Sequence, residues 1–402
     1  MRIKTLQGID FYLGNFLLLI LHPLARLIHR RVALGEHPRS IVVMKLFGGG
    51  SLLIAAPSLL VLRKRYPDAV FTLLATHATK PFGELTGLFD EIRLIDDRSV
   101  FKLMTSSLKV LWQCWIRRCD LLLDLEVYSR LSAVFSLLTF ARIRAGFYSN
   151  MAFFRKGIYT CLFFLNPYGG IYRFYDALLT IVDPIPAVPD PEEYRNYFRE
   201  RLPKFDGQIT DNTVVIAPFC SDLCEFRRWD QDKWIEWIKL FHSHYPDWTV
   251  ALVGGSADKE NADVLVAALP EVPVINFCGT LSLAQSAALI RNSRTFVGID
   301  SAPLHIARLA AERVLSLWGA TRPEALLRDF PFLIEKRIQC IAPCSPCVHI
   351  VDVMPCSRGR NCMSMITPEQ VFEAFETMMK QRGPGCEKIK FAPAIPMTFL
   401  EP

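Results

Sequence analysis

Short apolar runs of strand length, each followed by a helix-length segment, recur along most of this 402-residue chain and constrain its fold more than any other feature. Ser40–Phe47 (SIVVMKLF) is almost continuously apolar, as strands buried on both faces are. A helix is expected over Ser51–Tyr66, strands over Ala69–Ala75 and Glu91–Asp96, a helix over Lys102–Arg118, and strands over Cys119–Glu126 and Ile143–Phe147. Strands joined by such helices form βαβ units and a parallel sheet. Residues 183–212, rich in proline and charge, read as a domain junction. Beyond them the pattern restarts, with strands expected at Thr213–Phe219, Thr249–Gly255, Val274–Gly279, Thr295–Asp300 and Arg313–Gly319. The expectation is an α/β protein with two Rossmann-like, doubly wound halves facing a cleft at the carboxyl ends of their strands. Its parts are an apolar, basic helix in 1–39, a first domain in 40–185, a linker in 186–212, a second domain in 213–366, and a helix and tail in 367–402. Residues 383–402, which carry Gly and Pro, are expected to be irregular.

The net charge is +6, and residues 1–40 carry +4 of it, so the remainder is nearly balanced. That argues against a nucleic-acid partner. The apolar run Phe11–Leu21 is shorter than the roughly 18–20 residues a spanning helix needs, and Pro23 and Arg26 interrupt it. The basic residues follow the apolar core and no small-residue cleavage site is clear, unlike a signal peptide. The favoured expectation is a helix in the membrane interface, with Arg26, Arg30 and Arg31 near lipid phosphates. A helix packed on the body and a true span are the alternatives. With no clear export signal, the 12 cysteines point to reduced thiols and the cytoplasm. Cys114, Cys119, Cys161, Cys220, Cys224 and Cys278 look like ordinary core or loop residues, whereas Cys340–Cys362 is a cysteine-rich segment. There, free thiols are the favoured expectation for Cys344, Cys347, Cys356 and Cys362, with a structural zinc site, disulfides or an iron–sulfur cluster as alternatives.

The strongest chemical signal begins at Phe296, FVGIDSAPLHIARLAAERVLSLWGATRPE. The strand ends at Asp300, Ser301 and Ala302 are small, and Pro303 suits a first helical turn that includes His305. A helix opening in this way offers backbone N–H groups and a positive dipole end to a diphosphate. The plainer alternative is that Asp300 and Ser301 cap the helix and His305 is packed.

This segment resembles the nucleotide-sugar signature of the family 9 glycosyltransferases, the heptosyltransferase family: Asp-Ser/Thr-Gly-x-x-His, an Ala-rich helix, then a strand and a Gly-x-Thr turn. Here it is Asp300, Ser301, Ala302 in place of Gly, His305, then Gly319 and Thr321. VVIAPFCSDLCEFRRWDQDKWIEW, VALVGGSADKEN, VINFCGTLSLAQSAALIRNSRTFVGID and the cysteine-rich segment also resemble that family, as does GSLLIAAPSLLVLRKRYPDA in the first half. The resemblance covers about residues 40–380 and is specific in the second half. It implies a GT-B fold with the nucleotide-sugar, ADP-heptose as leading donor, held by the second domain. It further implies inverting, metal-independent transfer to a lipid-linked or lipopolysaccharide-core saccharide held by the first. The protein would then be peripheral on the cytoplasmic side of the inner membrane, and no cofactor is expected. The altered first-domain motif leaves two alternatives: a silent nucleotide-sugar-binding protein, or a GT-B epimerase that forms product without an acceptor.

Departure of the diphosphate calls for positive charge and N–H donors. Ser301, Ala302 and His305 are candidates, with Arg227 and Arg228 near the family's basic phosphate contact. The acceptor hydroxyl needs a base. The family's base is an Asp that aligns with Ser51, and an unassisted hydroxyl cannot replace it. Glu126, where the family commonly has Gln, is the candidate replacement, with Asp124 two residues back on the strand. The plainer reading pairs Glu126 with Arg130 or makes it a helix cap. Gly48, Gly49 and Gly50 are expected to let the backbone lie close to a sugar, with Lys45 adding charge. No Lys follows them, so a P-loop is rejected. Asp230-Gln231-Asp232 is read as helix capping rather than a metal motif.

Overall fold

The structure is a computed structural model that describes residues 3–28, 38–166, 169–207, 209–221, 225–348, 356 and 361–392. Arg30, Arg31 and Cys224 lie outside the described residues, as does the side chain of Arg26. The chain divides into two units, Met1–Tyr194 and Arg195–Pro402.

The first unit runs α1 (Ile3–Ile28), β1 (Ser40–Lys45), α2 (Gly50–Arg65), β2 (Val70–Ala75), α3 (Lys80–Thr86), β3 (Glu91–Leu94), α4 (Val100–Arg117), β4 (Leu121–Asp124), α5 (Arg130–Leu138), β5 (Ile143–Tyr148), β6 (Cys161–Phe164) and α6 (Ile171–Ala177). Its six strands are parallel, in the order β3-β2-β1-β4-β5-β6. Every residue of β1 and β4 is buried, which explains their nearly unbroken apolar sequences. Right-handed crossovers from this order put α2 and α3 on one sheet face and α4 and α5 on the other.

Helix α1 continues through Pro23 instead of breaking there. It packs on α5, burying Leu18 and Ala25 among Ala133, Val134, Leu137 and Ile158. Asp10 fixes the contact by accepting hydrogen bonds from Ser129 Oγ and from the N–H groups of Arg130 and Leu131, at 2.6–2.9 Å. Its opposite face leaves Tyr12, Phe16, Leu19, Ile20 and Leu27 exposed. The helix is therefore packed on one side and apolar and open on the other.

Helix α7 (Pro191–Arg201) occupies the expected linker, with Tyr194 and Phe198 fully buried. The second unit continues β7 (Thr213–Ala217), α8 (Gln231–His244), β8 (Thr249–Leu252), α9 (Lys259–Ala267), β9 (Val274–Asn276), α10 (Leu283–Asn292), β10 (Thr295–Ile299), α11 (Ala302–Ala310), β11 (Arg313–Trp318), α12 (Pro323–Leu326), β12 (Ile334–Cys340), α13 (Pro368–Lys380) and β13 (Gly385–Phe391). Its seven parallel strands are ordered β13-β12-β11-β10-β7-β8-β9. The expected irregular tail is thus corrected, because Gly385–Phe391 forms the edge strand beside β12. Its charged sequence, GCEKIKF, conceals a strand but suits an edge, where lysines deter further pairing.

Candidate functional site

In a doubly wound sheet the strand order reverses at one point, and the loops at the strand carboxyl ends diverge there to leave room for a ligand. The reversal falls between β1 and β4 in the first unit and between β7 and β10 in the second. The chemically distinctive residues of each unit lie at those two points.

In the second unit, β10 ends at Ile299, Asp300 follows it, and α11 begins at Ala302 with Ser301 at its N-cap position. Asp300 organises the turn. Its Oδ2 accepts a 2.8 Å hydrogen bond from Thr321 Oγ1 and lies 3.6 Å from Arg227 Nη1, while Oδ1 lies 3.9 Å from His305 Nε2. One carboxylate therefore links the loop before α8, the strand end, the helix start and the turn after β11. Ser301 does not cap α11 with its side chain, and its buried Oγ has no hydrogen-bond partner. Pro303 has no N–H and the Leu304 N–H turns back to the Ser301 carbonyl, so Ala302 supplies the amide with no acceptor inside the helix. An unpaired buried hydroxyl costs stability unless a ligand completes it. The helix-capping alternative does not describe this geometry.

Burial drives the His305 imidazole down to about 4, with Arg308 and Arg227 adding to the shift and Asp300 opposing it. It is therefore neutral at pH 7 and offers a hydrogen bond rather than a full charge. Arg228 differs from its neighbour: Nη2 donates to the Cys220 carbonyl at 3.0 Å, and the residue lines a pocket with Phe219, Phe226 and Trp229. Gly319 has a packing reason, since a Cβ there would stand 2.7 Å from Cys362 Sγ and 2.9 Å from Met363 Sδ. Asp230 occupies the N-cap position of α8 without a side-chain capping bond, so that expected role for its carboxylate is not realised.

In the first unit, Lys45 ends β1 and Glu126 follows β4, and the two form a buried ion pair at 3.2 Å. Glu126 Oε1 also accepts from Leu46 N at 2.7 Å and Phe47 N at 2.9 Å. The acid thus closes the turn after β1 and neither pairs with Arg130 nor caps the next helix. These three contacts all use Oε1, which leaves Oε2 for another partner. Burial pulls the Lys45 ammonium down, but Glu126, Tyr175 and Asp124 outweigh it and hold its pKa above the ordinary value. Tyr175, on α6, joins this group and touches Ser51. Its sequence context (YRFYDA) gave no sign of that, and only the return of α6 toward α2 brings it there.

Asp124 requires a correction. It is fully buried, and Oδ2 is held by Arg155 Nη2 at 2.6 Å and by the Tyr159 hydroxyl, while Oδ1 accepts from Glu126 N at 2.9 Å. A carboxylate enclosed in this way cannot reach an acceptor hydroxyl. It acts as a positioning residue that fixes the backbone of Glu126, and the candidate base narrows to Glu126 alone. Arg155 and Tyr159 arrive from the segment after β5 and carry no local motif.

The three glycines also differ from expectation. Gly48 adopts φ +67°, which favours glycine. A Cβ at Gly49 would overlap the Phe82 ring of α3, and Gly50 opens α2. Ser51 Oγ donates to the Gly48 carbonyl at 2.7 Å, closing the turn on itself. The turn is small because α3 packs over it and the chain reverses there.

Cys340, Cys347 and Cys362 are buried in the second unit's core with Cys344 against them. Among the described residues no group of three or more His, Cys, Asp or Glu side chains is arranged to hold a metal ion. Burial raises the Cys340 thiol to about 11, consistent with a packed, protonated group.

Solved structures share this two-sheet architecture. A glycosyl transferase family 9 protein from Veillonella parvula superposes with a TM-score of 0.64 at 17% identity, covering 87% of this chain and 99% of that one. Escherichia coli ADP-heptose lipopolysaccharide heptosyltransferase II gives a TM-score of 0.61 at 19% identity, covering 85% and 99%. The fold these structures share with the chain is the GT-B fold. In sequence, residues 178–357 match the profile of glycosyltransferase family 9 (heptosyltransferase). Lipopolysaccharide heptosyltransferase 3 of Escherichia coli K12 is 23% identical over 358 residues, spanning 84% of this chain and 98% of that protein. Over residues 178–357 the chain is thus similar to the family 9 glycosyltransferases, the heptosyltransferase family.

Proposed function

We propose that this chain is an inverting, metal-independent glycosyltransferase. It moves heptose from ADP-heptose to a lipopolysaccharide-core or lipid-linked saccharide, as a peripheral protein on the cytoplasmic side of the inner membrane. The acceptor hydroxyl gives its proton to Glu126 Oε2 as its oxygen attacks the anomeric carbon. The bond from that carbon to the diphosphate breaks, and ADP leaves with the bonding electron pair. Ser301 Oγ, the Ala302 N–H, neutral His305 and Arg227 meet the charge that develops on the leaving group. Arg228, Gly319 and Thr321 shape the surrounding pocket. Lys45 holds Glu126 in place, and the Gly48–Ser51 turn supports both. The carrying observation is the buried, unpartnered Ser301 hydroxyl at the start of a helix at the sheet's reversal point.

The test is turnover of ADP-heptose by the purified chain on a truncated lipopolysaccharide core, comparing wild type with Glu126→Gln. The variant should lose about 100-fold or more in kcat while ADP binding is retained. Full activity in the variant would remove Glu126 as the base. A second reading, a silent nucleotide-sugar-binding protein, is favoured by one observation: Ser51 stands at the family's base position and its hydroxyl is spent on Gly48. Persistent ADP binding with no transfer from ADP-, GDP-, UDP- or dTDP-sugars would select it.

A further inference from the structure

Helix α4 is apolar on both sides, and only one side is covered. Leu103, Val110, Leu111 and Cys114 face the core of the first unit. The opposite side exposes Phe101, Met104, Leu108, Trp112, Trp115 and Ile116, with Phe101 75% and Trp112 59% open. At about 100° per residue these six fall within an arc of about 120°. Soluble helices turn such a stripe inward, so a second, outward stripe of large residues marks a contact surface.

Two observations indicate what covers it. Lys102 and Lys109 border the stripe, Arg117 and Arg118 follow at its end, and α4 contains no acidic residue. Lys102, Lys109 and Arg118 are exposed and form no ion pair among the described residues. The stripe also belongs to a larger apolar face. Trp115 Nε1 donates to the Leu138 carbonyl of α5 at 2.7 Å, and the Trp115 ring lies 6.1 Å from the half-exposed Phe140 ring. Leu138 packs against the cores under both α4 and α1. The open stripes of α4 and α1 therefore flank α5 on one face of the sheet.

We propose that the outer face of α4 is a docking surface for an anionic lipid bilayer, shared with the outer face of α1. Tryptophan and phenylalanine enter the headgroup boundary while Lys102, Lys109 and Arg118 meet lipid phosphates. This extends the membrane part of the function above but is independent of any sugar transfer. The full chain is tested by co-sedimentation with vesicles of phosphatidylglycerol and phosphatidylethanolamine, and with phosphatidylcholine vesicles, without nucleotide or acceptor. Wild type should bind the anionic vesicles at least tenfold more tightly than the neutral ones, and salt should weaken that binding. Phe101→Ala/Trp112→Ala should lower binding to anionic vesicles at least tenfold. Lys102→Glu/Lys109→Glu should abolish the preference for anionic lipid. Leu19→Glu on α1 should weaken binding separately. Thermal melting and light scattering accompany each variant. Unchanged vesicle binding by both α4 variants at wild-type melting temperature overturns the proposal. So does a wild-type dimer that the α4 variants dissociate without loss of vesicle binding, since the stripe would then cover a second copy.

Discussion

His305 sits against the Asp300 turn as a neutral imidazole, and that makes the second unit sensitive to acid. In the unfolded chain it titrates near its ordinary value of 6.5, whereas in the fold it does so at about 4. The unfolded form therefore takes up the proton first, and stability falls as pH drops through 6.5, levelling below about 4. Linkage between those two values gives a loss of about 2 kcal/mol between pH 7 and pH 5, and about 3 kcal/mol by pH 4. His305→Gln keeps a hydrogen-bonding side chain and removes the titration. Five of the seven tryptophans, Trp229, Trp234, Trp237, Trp248 and Trp318, belong to the second unit, so urea unfolding followed by tryptophan emission reports mainly on it. The stability of wild type minus that of the variant should decline by about 2 kcal/mol from pH 7 to pH 5. A difference that stays level across that range would mean the imidazole is not held neutral, and the account of the site's electrostatics would fail.

Ser301→Ala should weaken ADP binding about tenfold while leaving stability unchanged or slightly raised, because it deletes a buried hydroxyl that lacks a partner in the free protein; equal affinity by calorimetry would show that Oγ does not meet the nucleotide. Asp124→Asn leaves the Arg155 charge buried without its counter-ion and should cost about 3–5 kcal/mol. Intact stability with lost turnover would restore Asp124 as a candidate base. Gly49→Ala must displace the Phe82 ring and should cost about 1–3 kcal/mol, whereas Gly8→Ala, with open space around it, should cost nothing. Equal melting temperatures for those two variants would disprove the packing explanation of the turn.

The alternation of apolar runs with helices was enough to read the paired α/β halves, because strands buried on both faces leave an almost unbroken apolar sequence. β13 escaped because an edge strand with one open side has no such sequence, and Glu387, Lys388 and Lys390 resemble a solvated tail. At the second unit's site, Asp300, Ser301 and His305 were legible because one strand-to-helix turn carries all three. Arg227 joins them across a long loop, and its contact with Asp300 is a fact of tertiary structure. The first unit's site was less legible. Glu126 and Lys45 are 81 residues apart in the chain and meet only because β1 and β4 are neighbours. Asp124 and Glu126 share a strand end and looked equivalent, yet the fully buried Arg155 separates them into a locked carboxylate and one with an available oxygen.

Asp10 supplies, from α1, the oxygens that the first two amides of α5 need, while Ser129 serves the third. The leading helix thereby completes another helix's end, four residues downstream of Glu126. Trimming it away to obtain a better-behaved protein would strip that end bare beside the proposed base, Glu126. Such a truncated protein would report damage to α5 as well as loss of the open apolar face of α1, and only point changes on that outer face can tell the two apart.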